Sequence, residues 1–207
     1  MAESFTEGLI DFASATGAEM IVVGGTRDGL FGRHTLGSIS SELVHCSPLP
    51  VALAPRGYSD RADVPLASIT VAVPTTTRGD NPLPFALSLA EKAQLSIRLV
   101  SLVSLDDGPL ADSETSAQTR ARHVAAATAI LDEARDGAET AQEIESVVAE
   151  GDTLDEAMEM LRWTEGDIVA VGSARLGPPS RAFLGSTAAR ILRGTTAPII
   201  VVPKSGG

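Results

Sequence analysis

Cysteine is almost absent from this chain. Cys46 stands alone, so no internal disulfide can staple the fold, and its place in the apolar run SELVHC points to a buried structural thiol rather than a nucleophile. A cytoplasmic setting is expected on that ground. Aromatic residues are scarce too, at 3% of 207 residues, so a core must be built from Ala, Val, Leu and Ile; the 43% hydrophobic fraction is ample for that and excludes a disordered chain. Positive charge is short: 16 Lys and Arg face 27 Asp and Glu, leaving a net charge of −11. A general nucleic-acid or anionic-membrane surface needs a cationic footprint, so neither partner is expected, while a local phosphate site stays open. No apolar run reaches the roughly 18 residues of a membrane helix, so no membrane insertion is expected. The opening MAESFTEGLIDFAS has acids among its apolar residues and no basic lead, which is not the pattern of a signal peptide.

Chemistry-bearing constellations are equally thin. His34, His45 and His123 have no Cys or carboxylate partners at ligand spacing, so no metal is expected and they read as ordinary surface or helix positions. Asp106, Asp107 and Asp112 sit in a loop without the glycine and glutamate of an EF-hand and read as a solvated acidic loop. There is no Gly-x-Ser-x-Gly elbow, no Walker lysine and no positioned base, so no catalytic residue is expected.

What the chain does have is a repeat. VVGGTRDGLFGRHTLGS and AVGSARLGPPSRAFLGS share the pattern Gly-x2-Arg-x9-Gly-Ser, in Gly24, Arg27, Gly37 and Ser38 and again in Gly172, Arg175, Gly185 and Ser186. Each position recurs at an offset of 148 (172 − 24), and the register runs on through Arg33 and Arg181, Pro50 and Pro198, and Pro55 and Pro203. Two full units of that length do not fit in 207 residues. The expected division is a complete unit over residues 66–204 and, over residues 1–57, only the last helix, strand, helix and strand of the same unit, with a charged, Gly- and Pro-bearing linker at 56–65 between them.

Short β-branched runs alternating with helical patterns support that division. In the second copy, strands are expected over 68–73, 96–103, 143–149, 167–172 and 198–202, and helices over 81–94, 116–135, 153–163 (capped by Asp152) and 186–192. Trp163 would end the third helix as a core residue. In the first copy the pattern gives helix 4–16, strand 19–24, helix Ser38–Cys46 and strand Val51–Ala54. Strands this apolar, separated by helices, imply an α/β fold with a doubly wound parallel sheet of five strands covered on both faces.

A loop that leaves a strand and ends in Gly-Ser at a helix start gathers unpaired N–H groups and the positive end of a helix dipole, which favours an anion such as phosphate. In that pattern the chain resembles the universal stress protein family in its tandem form. Members carry Gly-x2-Gly-x9-Gly-[Ser/Thr] before the fourth helix and then a Pro-led fifth strand; Gly172, Gly185, Ser186, Pro198 and IIVVP match, as do Gly24, Gly37, Ser38, Pro50 and VALAP. The resemblance covers nearly the whole chain. It implies an adenine nucleotide alpha hydrolase-like sheet of order 3-2-1-4-5, pairing between fifth strands as in family dimers, and ATP or another adenine nucleotide at the loop.

Two positions depart from the family. Arg27 and Arg175 replace its second glycine, and Pro74 stands about where it has the aspartate that ends the first strand. Arg175 and Arg181 suit a phosphate clamp; alternatively they bond loop carbonyls or surface acids and fill the pocket, the reading we favour. What the resemblance implies is a non-catalytic cytoplasmic stress-response protein sensing a nucleotide through its second copy. An interaction module that has lost nucleotide binding is the alternative, ahead of an ATP-hydrolysing enzyme. By the same resemblance, Val51–Ala54 should pair antiparallel with Ile199–Val202, leaving the edge at residues 20–23 open for a homodimer or oligomer, beside an unknown regulatory protein partner.

Overall fold

The computed structural model describes residues 4–25, 34, 36–61, 63–74, 81–104, 113–175, 182–183 and 186–203. The first copy contributes Phe5–Ala15 (α1), Ile21–Gly24 (β1), Ser38–Cys46 (α2) and Val51–Ala54 (β2), followed by a 3-10 turn at Tyr58–Arg61. The second contributes Ser68–Ala72 (β3), Leu83–Ala93 (α3), Ser96–Ser104 (β4), Ser113–Asp136 (α4), Ile144–Gly151 (β5), Leu154–Glu159 (α5) and Asp167–Gly172 (β6). A hairpin of Ala174–Arg175 (β7) and Ala182–Phe183 (β8) comes next, then Ser186–Gly194 (α6) and Ile199–Val202 (β9).

Local chemistry sets the ends of these helices. Ser4 Oγ accepts from Glu7 N at 3.1 Å and starts α1, while α3 stops at Gln94, whose φ of 58° is left-handed. The expected α5 is corrected at both ends. Its cap is Thr153, not Asp152: Thr153 Oγ1 accepts from Glu156 N at 3.2 Å, and Glu156 Oε2 accepts from Asp152 N at 2.9 Å. Thr153 thus satisfies one orphan donor of the first turn, while Glu156 reaches back to the residue before the cap. The helix ends before Arg162, at φ 41°, so Trp163 lies beyond it, half-buried.

Seven strands form one sheet in the order β1-β2-β9-β6-β3-β4-β5. The run β9-β6-β3-β4-β5 is all parallel and is the expected 3-2-1-4-5 order read from its other end. At its flank β2 pairs antiparallel with β9, in the register Val51↔Val201, Ala52↔Ile200, Leu53↔Ile199. Ala52 and Ile200 are themselves equivalents at the offset of 148, so a pseudo-two-fold axis passes between them and the contact is isologous within one chain. β1 then pairs parallel with β2.

Two apolar layers sandwich this sheet. One joins Leu43 and Val44 of α2, Met158 of α5 and Ile191 of α6 to Val51, Leu53, Val169 and Val201. The other packs Leu83 and Ala86 of α3 and Leu131 of α4 on Ile69, Val71, Leu99 and Ile200. Both layers run across the β2–β9 seam, where burying each Val, Leu or Ile side chain contributes about 1.5–3 kcal/mol. Cys46 is exposed, against expectation; at roughly 100° per residue it falls off the stripe occupied by Leu43 and Val44.

A buried polar cluster, which the sequence reading missed, ties the opposite end of the sheet. Arg98 Nη1 donates to Leu161 O at 3.0 Å and Nη2 to Thr70 Oγ1 at 2.8 Å, with Asp167 Oδ2 3.5 Å away. Asp167 also accepts from Ser68 Oγ and from Thr164 N, and the Trp163 ring lies 5.5 Å from the guanidinium. An arginine inside the apolar strand SIRLVSLV was the available signal, since such a charge persists only when partnered.

Candidate functional site

In a doubly wound sheet the ligand crevice opens at the carboxyl ends of the strands where the chain order reverses. Here that point lies between β3 and β6, paired through Ala72↔Val171. Beyond β3, Val73 N donates to Val100 O at 2.9 Å, and the half-buried Pro74 follows. β6 ends at Gly172, and Ser173 N donates to Val202 O at 2.9 Å. The chain then turns into the β7–β8 hairpin, so part of the expected loop is strand: Arg175 pairs with Ala182. Ser186 opens α6, whose first N–H groups and dipole are a source of positive potential. Gly185 and Arg181 lie outside the described residues.

The first copy places its equivalents differently. Gly24 ends β1 with open space where a Cβ would stand, whereas Gly25 is the tight position, its Cβ site 3.0 Å from Arg56 N. Gly37 is the N-cap of α2, in extended conformation without a side-chain cap, and Ser38 is the exposed first residue of that helix. Arg27 and Arg33 lie outside the described residues. Among the described residues β1 has β2 on one side and no strand on the other. Gly172, the Arg175 backbone and Ser186 thus follow a strand that has β3 beside it, whereas Gly24, Gly37 and Ser38 stand near β1, which among the described residues has no counterpart of β3.

The two loop regions reach across the seam. His34 Nε2 donates to Ala197 O at 2.7 Å, and β8 lies against α2. His34 and Ala182 are equivalents at the offset of 148, so the same point of each copy meets the other copy. This corrects the reading of His34 as an ordinary surface residue: it is partly buried, and desolvation lowers its pKa despite the opposing bond to Ala197. No sequence pattern signals a contact made between copies. His45 is half-buried on α2 and His123 exposed on α4. Asp106, Asp107 and Asp112 lie outside the described residues. Among the described residues no group of three or more His, Cys, Asp and Glu is placed to hold a metal, and no helix is long and apolar enough to cross a membrane.

Comparison with known proteins places these features in a family. The model of the universal stress protein family matches residues 3–55 and 67–203. The universal stress protein Rv2319c of Mycobacterium tuberculosis is 26% identical over 203 residues, a match that covers 97% of this chain and 69% of that one; Mb2346c of Mycobacterium bovis matches equally. Among solved structures, a universal stress protein from Archaeoglobus fulgidus superposes with a TM-score of 0.62 at 19% identity, over 99% of this chain and 71% of that one. PA1789 of Pseudomonas aeruginosa, a protein of unknown function, also gives 0.62, at 17% identity over 98% and 69% of the two chains. These structural likenesses bear on the fold, and the family match rests on sequence along both copies: the chain belongs to the universal stress protein family.

Proposed function

We propose that this chain is a non-catalytic cytoplasmic regulator of the stress response that senses ATP or another adenine nucleotide through its second copy and passes that state to a protein partner. The observation that carries the reading is the reversal of chain order between β3 and β6, which only the second copy has among the described residues and which is followed by a helix start at Ser186. Ser104 Oγ supports it: at the carboxyl end of β4 it is buried, with no hydrogen-bond partner among the described residues. In this reading the first copy is a built-in dimer partner that braces the second across the β2–β9 seam.

Pro74, which brings no carboxylate to the end of β3, favours a second reading in which the arginines fill the pocket and the chain is an interaction module. Equilibrium binding of labelled ATP followed by a hydrolysis assay separates the readings. Binding without turnover supports the sensor, no binding the module, and turnover an enzyme. Ser186→Trp should abolish ATP binding and Ser38→Trp should leave it unchanged, so equal losses would refute the assignment to the second copy. Arg175→Gly should strengthen binding by letting the backbone approach phosphate; a clear fall in a folded variant would make Arg175 a clamp instead.

A further inference from the structure

On one face of the sheet, away from the β3–β6 crevice, a groove of about 600 Å³ runs between α5 and α6, a size within the range of ligand pockets. Its walls carry opposite charge. Asp155 and Glu159, four apart, line the α5 side, and Arg190 and Arg193, three apart, line the α6 side, spacings that put each pair on one helical face. Between them lies the half-buried Trp163, above the almost wholly buried side chains of Leu154 and Met158. Trp163 is held in place, its Nε1 donating to Met158 O at 3.2 Å and its ring set against Arg98. No ion pair joins Arg190 to Asp155 or Glu159 across the groove.

The molecule contains its own control for this feature. At the offset of 148 the acidic wall recurs in the first copy as Glu7 and Asp11, but Arg190 and Arg193 become Glu42 and His45, Trp163 becomes Ala15 and Gly194 becomes Cys46. There the helices are tied directly, Thr6 Oγ1 donating to Glu42 Oε2 at 2.6 Å; Leu154 and Arg190, the equivalents, have no such bond available. The second copy alone therefore combines a cationic wall, an aromatic floor and a glycine at the rim.

We propose that this groove binds a short peptide with free termini and an apolar side chain, its ammonium toward Asp155 and Glu159, its carboxylate toward Arg190, and its side chain on Trp163. Two or three residues, at about 3.3–3.6 Å each, set the opposite charges about 7–11 Å apart, so the two ends of one peptide can face opposite walls. A guanidinium pairs well with the terminal carboxylate.

Calorimetric titration of the full chain with the tripeptide Ala-Leu-Ala tests the proposal, with emission of Trp163, the only tryptophan, as a local reporter. Saturable binding is expected, weakened about tenfold or more by blocking both termini and likewise by Arg190→Glu. Arg190→Gln should give a smaller loss and Arg135→Gln, on α4, none; circular dichroism verifies folding of each variant. Absence of saturable heat up to about 10 mM peptide, equal binding of free and blocked peptide, or undiminished binding by both Arg190 variants would each overturn it.

Discussion

β6 and β1 are the same strand of the repeat in two different neighbourhoods. β6 is flanked by β3 and β9, with every residue but Gly172 buried, whereas β1 has β2 on one side only and leaves Val22 67% exposed. Its equivalent Ala170 is fully buried. The difference follows from what surrounds each strand rather than from the strand itself, since both are short, apolar and end in glycine. Completeness of the sheet gives the second copy a reversal of chain order beside β6; the first copy has none among the described residues.

Stability measurements should expose that contrast most strongly. Ile200→Ala, at the pseudo-two-fold axis, is expected to cost about 2–5 kcal/mol in urea unfolding, and Val22→Ala on the open edge less than about 0.5 kcal/mol; similar costs would mean that the edge is covered. Association comes next. A β1 edge without charge, proline or bulge is open to pairing with another chain, so sedimentation at rising concentration should show self-association that Val22→Lys removes with stability unchanged. A monomer at all concentrations would refute that use of the edge.

The smallest effect concerns pH. Burial holds His34 below its ordinary value of 6.5, so just below that pH the unfolded chain binds more protons than the folded one. The stability His34 contributes is therefore complete above about 6.5 and is lost as pH falls from there toward the folded-state value. His34→Gln keeps a donor for Ala197 O and should flatten this part of the stability profile. An unchanged slope would place the acid sensitivity elsewhere.

Where repetition carried the information, the sequence was a good guide. The bounds of α2 and β2 fall where the pattern put them, and the pairing of Val51–Ala54 with Ile199–Val202, which the resemblance to family dimers implies, is present. Features set by single local contacts were harder to read. Thr153 wins the cap from Asp152 because Glu156 answers it, and the two-residue strands β7 and β8 are too short to show a period. Arg98, His34 and the opposed walls of the α5–α6 groove depend on residues brought together from far along the chain. Of the candidate binding residues, Gly24 and Gly172 end strands and Ser186 begins a helix, as the repeat pattern expects.

The central claim is that the partial first copy folds as one unit with the second through the β2–β9 seam. Native-state amide hydrogen exchange tests it directly, because β2 and β9 share one hydrogen-bonded ladder and exchange reports the free energy of opening it. The account predicts that the amides of Ala52 and Leu53 exchange in the same cooperative step as those of Ile199–Val202. Rapid exchange throughout β2 while β9 stays protected would contradict it.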